Sequence, residues 1–204
     1  MNKKIKIVLV DDHAVVRAGV KRLLEQEDLF EVIGEAESGE KAYQLFGELK
    51  PDVMVMDLSM PGMGGLEAIR RILMRYEKAK ILVLSMHEDL SFANQALKLG
   101  AKGYLIKNTL GDDLVKSIQA ISKGEVFLSD EIAKKIAMQS IDGDQDPIHT
   151  LSAREFEIFR LLAEGLEVEA IATTLNISSK TVSNYQTMIR SEEHTSELQS
   201  HVRI

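Results

Sequence analysis

Val53-Met54-Val55-Met56-Asp57-Leu58 is a continuous apolar run interrupted by a single acid. A strand with one wet face alternates apolar and polar side chains, whereas an unbroken apolar run is a strand covered on both faces. Two further runs, Ile5 to Val10 and Ile81 to Ser85, read the same way, and Glu31 to Ala36 and Gly103 to Lys107 add two more candidate strands. Between them the apolar residues recur at helical spacing. Val15, Val16, Val20, Leu23 and Leu24 mark one helix, and others cover about 40–49, 66–76, 90–99 and 110–122. Gly100 and Gly124 stand just past two of these helices, where a left-handed C-terminal residue is favoured. Strand alternating with helix in this way predicts an α/β unit with a five-stranded parallel sheet. Right-handed crossovers then limit the topology to a doubly wound sheet.

The chain has 204 residues, enough for one large or two small domains. Hydrophobic residues make up 45% and charged residues 28%, the balance of a globular protein. It contains no cysteine, which excludes disulfide frameworks and thiolate metal sites and fits a reducing cytoplasm. The basic start and apolar run of the N-terminus resemble a signal peptide, but the run is too short and Asp11-Asp12 ends it. No stretch is long and apolar enough to span a membrane as a helix. The net charge of -7 gives no global field that would attract nucleic acid, so DNA binding would have to come from a local surface.

Ligands of open parallel sheets bind beyond the carboxyl ends of the strands. Here those ends carry Asp11 and Asp12 on strand one, Asp57 on strand three, Ser85 on strand four and Lys107 on strand five. Each has an ordinary reading by itself: either aspartate of the first pair, or Asp57, can cap a helix or form a turn, Ser85 can be a loop hydroxyl, and Lys107 a solvated strand end. Their joint occurrence points to chemistry. Three carboxylates held together repel one another and favour a hard cation such as Mg²⁺. A metal there would shield in-line transfer of a phosphoryl group to a carboxylate. An ammonium and a hydroxyl could hold the phosphoryl oxygens. The methionines at 54, 56, 60 and 63 read as core filler.

Val8-Leu9-Val10-Asp11-Asp12-His13, residues 56–65 (Met-Asp-Leu-Ser-Met-Pro-Gly-Met-Gly-Gly), Leu84-Ser85-Met86-His87 and residues 100–107 (Gly-Ala-Lys-Gly-Tyr-Leu-Ile-Lys) together resemble the receiver domain of two-component response regulators. The likeness covers about residues 4–123. It implies a flavodoxin-like sheet of order 2-1-3-4-5, with Asp57 accepting a phosphoryl group from a sensor histidine kinase. It also implies Mg²⁺ held by Asp11, Asp12, Asp57 and the backbone carbonyl of Ser59, and Lys107 touching the phosphoryl group. Ser85 and Tyr104 become a switch pair in which the hydroxyl moves to the phosphoryl oxygen and the ring turns inward. Tyr104 can also be read as a half-buried strand aromatic with a wet hydroxyl. Asn108 follows the lysine where many receivers have proline, a variation shared by one subfamily of transcription factors.

An amphipathic stretch, Ser129 to Met138, leads into the acidic, helix-breaking segment 140–147, which reads as part of a linker over 124–149. From Leu151 the period is helical throughout. The expected helices run over about 152–164, ended by Gly165, then 168–175 and 179–190, with Asn176-Ile177-Ser178 as the turn between the last two. That is a helix-turn-helix pattern. Residues 151–165 and 171–185 resemble the DNA-binding unit of NarL/FixJ (LuxR-type) regulators, over about 150–190. The resemblance implies that the third helix enters the major groove of double-stranded DNA. Lys180, Thr181, Ser183, Asn184 and Thr187 are its outward polar residues. Lys180 and the hydroxyls suit phosphates and Asn184 suits a base edge, while Val182, Tyr185 and Ile189 face inward. The segment is not basic, since five glutamates from Glu155 to Glu169 face Arg154, Arg160, Lys180 and Arg190, and a helical bundle that binds protein remains open.

After Arg190 the likeness ends. Residues 191–204 lack the family's fourth helix and resemble the in-frame translation of a sequencing-library adapter. The combined expectation is a cytoplasmic, non-enzymatic transcriptional regulator that is switched by phosphorylation and pairs into a homodimer when activated, with no membrane partner. DNA binding would be weakened by the missing helix. The alternative is a phospho-signalling receiver acting through protein contacts. An aspartyl-phosphate phosphatase would want an acid two residues after the nucleophile, where Ser59 stands. A flavodoxin-like cofactor carrier would want a phosphate loop where the acids Asp11 and Asp12 stand.

Overall fold

A computed structural model describes residues 3–109, 111–142 and 151–191. They fall in two compact units that divide after Asp142. The first contains β1 (Ile5–Val10), α1 (Ala14–Glu25), β2 (Phe30–Ala36), α2 (Gly39–Leu49), β3 (Val53–Met56), α3 (Gly65–Arg75), β4 (Ile81–Ser85), α4 (Leu90–Leu99) and β5 (Gly103–Ile106). A 3₁₀ turn (Lys107–Thr109), α5 (Asp112–Ser122), β6 (Phe127–Leu128) and α6 (Asp130–Asp142) complete it.

The sheet is parallel, with order β2-β1-β3-β4-β5-β6. The expected order is therefore present, extended by a sixth strand of two residues that five apolar runs did not predict. Side chains alternate across the sheet, as the strand period requires. Ile7, Leu9, Val53, Val55, Leu82, Leu84 and Leu105 form one core with Val20 and Leu24 of α1 and Leu114, Ile118 and Ile121 of α5. The intervening residues Val8, Val10, Met54, Met56, Ile81 and Val83 are just as buried on the opposite side, which is why these strands read as continuous apolar runs. Val10 and Met56 are level in register, and so are Ser85 and Ile106, so the strand ends converge at one edge of the sheet.

Local chemistry sets the helix ends. Ser38 and Asp89 cap α2 and α4 through the backbone N–H groups of Lys41 and Ser91. Gly100 closes α4 at φ 106° and Gly124 follows α5 at φ 93°, the left-handed positions their placement predicted. Several boundaries differ from the sequence reading, among them β5, which stops at Ile106 and leaves Lys107 in the 3₁₀ turn. Strand β3 stops at Met56, which leaves Asp57 in the loop beyond it. Helix α6 continues to Asp142, into the acidic segment expected to be linker, and belongs to the first compact unit. The rest of the expected linker, residues 143–149, lies outside the described residues apart from its role as a boundary.

The second unit contains α7 (Ala153–Ala163), α8 (Val168–Thr174) and α9 (Ser179–Ser191). Ser152 and Glu155 form a reciprocal capping box at the start of α7. Ile158, Leu161, Ile171, Ala172, Leu175 and Val182 make its core. Asn176 takes a left-handed conformation, φ 52°, in the turn before α9. Of the tail expected over 191–204, Ser191 instead closes α9, and residues 192–204 lie outside the described residues.

Candidate functional site

The loops at the carboxyl edge of the sheet bring Asp11, Asp12, His13 and Asp57 together, with one ligand-type atom from each within 4.8 Å of the others. Asp11 and Asp57 are 5% and 2% exposed. Asp57 is pinned by its neighbour, as the Leu58 N–H donates to Asp57 Oδ1 at 2.8 Å. Lys107 enters from the turn after β5, with Nζ 2.7 Å from Asp11 Oδ2 and 3.0 Å from Asp57 Oδ2. Asp12 Oδ1 is 2.8 Å from His13 Nδ1 but makes no hydrogen bond, and it is buried. It is therefore a carboxylate oxygen with coordination capacity to spare.

Burial and charge act differently on the two sides of this cluster. Burial pushes the Asp57 carboxyl above its usual range. The Lys107 charge and hydrogen bond oppose that shift, and the Asp11 charge adds to it. Burial pulls the Lys107 ammonium down, but its hydrogen bond to Asp11 and the charge of Asp57 outweigh that, so it stays protonated above its usual value. One ammonium facing two carboxylates is secure, whereas a carboxylate that also faces another carboxylate is not. The negative charge in excess is what a divalent cation would neutralise.

Gly65 lets α3 begin against this site. A Cβ there would lie 2.1 Å from the Asp57 carbonyl oxygen, and the Gly65 N–H donates to the Leu58 carbonyl at 3.0 Å.

Ser85 ends β4 fully buried, its Oγ accepting from the His87 N–H at 3.1 Å. Tyr104 of β5 is also fully buried, with its ring inward and its hydroxyl donating to the His87 carbonyl at 2.8 Å. The reading of a half-buried ring with a wet hydroxyl is thereby corrected. Packing against α4 and the neighbouring strand removes the water. Burial raises the Tyr104 phenol to about 12, against the hydrogen bond with Ser85. Ser59 is exposed in the loop two residues after Asp57, and its hydroxyl lies 2.7 Å from His87 Nε2.

In the second unit Lys180, Ser183, Asn184 and Thr187 are exposed along α9 and Thr181 is partly so. Thr181 is committed to the helix start, with its hydroxyl 2.8 Å from Ser178 Oγ and its N–H donating to the same oxygen. Thr187 Oγ1 donates back to the Ser183 carbonyl. Val182 is buried and Tyr185 packs against the core, as helical spacing expected. The side chain of Ile189 lies outside the described residues.

Residues 7–119 match the response regulator receiver domain family, and residues 149–192 match the luxR family of bacterial regulatory proteins. The chain is a response regulator. Among its relatives, the transcriptional regulatory protein DegU of Brevibacillus brevis is 36% identical over 89% of this chain and 84% of that protein. The response regulator GacA of Pseudomonas aeruginosa is 37% identical over 89% of this chain and 86% of its own length. A LuxR-family two-component response regulator from Aurantimonas sp. SI85-9A1 superposes with a TM-score of 0.66 at 41% identity, covering 68% of this chain and 99% of that one. RcsB of Salmonella enterica serovar Typhimurium, bound to promoter rprA in the presence of the phosphomimetic BeF₃⁻, superposes at 0.71 with 28% identity over 99% and 100%. The regulator thus joins a receiver-type α/β unit to a LuxR-type helix-turn-helix unit. No helix among the described residues is long and apolar enough to cross a membrane.

Two histidines of this regulator carry structure that sequence reasoning did not assign. His13 donates its N–H to Asp11 Oδ1 at 2.8 Å, fixing that carboxylate from behind. His87 meets Ser85, Tyr104 and Ser59, and its ring stacks on Phe92 of α4 with centroids 3.9 Å apart. The available signal for His87 was its place two residues beyond Ser85 at a strand end. Arg154 proved structural: it pairs with the buried Glu157 at 2.7 Å and donates to the Leu175 carbonyl.

Proposed function

We propose that Asp57 is the phosphoryl acceptor of this regulator, and that its charge state controls DNA binding by α9. The observation that carries this is the buried Asp57 carboxylate held 3.0 Å from Lys107 in a cluster of acids. The donor set of Asp11, Asp12 and Asp57 with the Ser59 carbonyl suits Mg²⁺, and the buried Asp12 oxygen that accepts no hydrogen bond supports the fit. When bound, the ion supplies positive charge for the phosphoryl oxygens. An Asp57 oxygen forms the new bond to phosphorus as the bond to a histidine nitrogen of the sensor kinase breaks, leaving the electron pair on that nitrogen. Lys107 stays charged and pairs with a phosphoryl oxygen. The Ser85 hydroxyl donates to another, and Tyr104 holds the inward position that accompanies it.

In this reading residues 1–123 form the receiver and 150–190 the DNA-binding unit, working in the cytoplasm as a homodimer once activated. Its half-sites on double-stranded DNA would lie about one helical turn apart. The receiver assists its own phosphoryl transfer and loss and catalyses no other reaction. A second reading, signalling through protein contacts with defective DNA binding, is favoured by the end of the luxR-family match at residue 192.

The test is intact mass after incubation with a small phosphodonor and Mg²⁺. Addition of one phosphoryl group is expected, and Asp57→Ala should gain none. No addition to the parent chain, or equal addition to the variant, overturns the proposal.

A further inference from the structure

We infer that the His13 imidazole is a further ligand at the acid cluster, a nitrogen donor through which the site takes Zn²⁺ in competition with Mg²⁺. The inference rests on the metal reading above, to which it adds a residue and a second ion.

His13 stands at the start of α1, where a Ser, Asp or Asn side chain would ordinarily accept a backbone N–H. The imidazole makes no such bond, while its own carbonyl serves the helix by accepting the Arg17 N–H at 3.0 Å. The ring turns to the acids instead. Nδ1 lies 2.8 Å from Asp12 Oδ1 and 3.3 Å from Asp11 Oδ1. The backbone holds this arrangement independently of the ring, because the His13 N–H donates to the same Asp11 oxygen.

The approach to Asp12 is close, yet it is not a hydrogen bond, since the buried Asp12 Oδ1 accepts none. At 2.8 Å an N–H aimed at the oxygen would bond. The in-plane axis of Nδ1 therefore passes beside that oxygen rather than through it. Oxygens beside the axis of a nitrogen are placed as neighbouring ligands of one ion. Donors held about 2.0–2.1 Å from a tetrahedral zinc stand roughly 3.3 Å apart, so the two spacings at Nδ1 need little adjustment. Asp57 supplies the fourth atom of the set, all within 4.8 Å of one another. The His13 side chain is 65% exposed, so an ion can reach it. With the proton on Nε2, Nδ1 offers its lone pair to the cluster.

The two ions value this nitrogen differently. Mg²⁺ takes oxygen ligands and keeps several waters, so an imidazole adds little to its binding. Zn²⁺ takes imidazole and carboxylate together. His13 thus raises the affinity for Zn²⁺ and leaves that for Mg²⁺ as the carboxylates set it.

The test is calorimetry on the full chain at neutral pH, with Zn²⁺ or Mg²⁺ as the metal. His13→Ala keeps the backbone N–H on Asp11 and removes only the ring. It should bind Zn²⁺ about tenfold or more weakly, as even a residue supporting a ligand is worth that much. Its Mg²⁺ affinity should stay within about twofold of the parent's. Excess Mg²⁺ should weaken Zn²⁺ binding to the parent, and bound Zn²⁺ should move the His13 Nδ1 resonance in nitrogen NMR. Unchanged Zn²⁺ affinity in His13→Ala, equal loss for both ions, Zn²⁺ binding indifferent to Mg²⁺, or an unmoved Nδ1 resonance overturns the ligand role of His13 and leaves the Mg²⁺ cluster standing. Failure of Mg²⁺ to bind the parent, or unchanged Mg²⁺ binding in Asp57→Ala, overturns the metal reading and the inference with it.

Discussion

Asp57 shows how one residue can be costly for folding and necessary for the proposed function. Its folded carboxyl sits above the usual range because burial outweighs Lys107. A raised acid pKa means that the folded state holds the proton more tightly than the unfolded chain. That contribution to stability is present at low pH and is lost as pH rises through the raised value. Metal-free Asp57→Asn should therefore be more stable than the parent at neutral pH, with a shallower decline across that window, as read by urea midpoints in EDTA. A midpoint below the parent's would contradict the sign. Lys107 acts in the opposite direction. Its removal leaves two buried carboxylates without their shared cation, and breaking a buried pair typically costs about 3–5 kcal/mol. Lys107→Ala should lose about 3 kcal/mol in EDTA and recover more stability from added Mg²⁺ than the parent does. Equal Mg²⁺ responses in the two proteins would show that the cluster does not behave as one electrostatic unit.

At the scale of elements, α3 is fastened at its start and along its first turns. Gly65 admits the Asp57 carbonyl where a Cβ would collide with backbone. Gly65→Ala should cost about 1–3 kcal/mol, the usual range for overpacking, and should slow phosphoryl uptake because the displaced atom belongs to the acceptor residue. Normal uptake in a destabilised variant would separate the two effects. Glu67, 7% exposed, accepts from Arg70 at 2.7 and 2.8 Å and from Arg71 at 2.6 Å. Burial pushes its carboxyl up, but the arginines prevail and hold it below the usual range. Stability from a lowered acid is present above the unfolded value and lost as pH falls through the folded one. Because both arginines are partly wet, Glu67→Gln should cost only about 1–2 kcal/mol at neutral pH. The cost should vanish in acid, and a pH-independent cost would mean that packing is responsible. Periodicity was enough to read α3, α4 and the five longer strands from the sequence, because each presents a full apolar face. β6 was not legible, since two residues carry no period and its pairing is set by the edge of β5. The acids and Lys107 were legible as strand-end residues, whereas the part played by His87 depends on a ring stack and carbonyl contacts that residue type does not encode.

The whole molecule carries a net charge of -7 yet is built to approach a polyanion. Long-range attraction cannot do this, so in the proposed reading affinity comes from α9 at close range. Lys180 and Asn184, both exposed there, separate the two kinds of contact. A phosphate contact adds affinity to every sequence and steepens the salt dependence, while a base contact adds it only where the base matches. Lys180→Ala should weaken operator and unrelated duplex alike and reduce the salt slope by about one. Asn184→Ala should cost about 1–3 kcal/mol on the operator alone. Among the described residues, the helices that present them rest on Ile158, Leu161, Ile171, Ala172, Leu175 and Val182, with Leu151, Ala153 and Phe156 also buried, and a core of that size holds α9 only marginally. Replacing residues 192–204 with an amphipathic helix that covers this core should therefore raise operator affinity in gel shifts while leaving the Lys180 salt effect unchanged. Equal affinity of the two chains would show that the three described helices suffice to hold α9 in place.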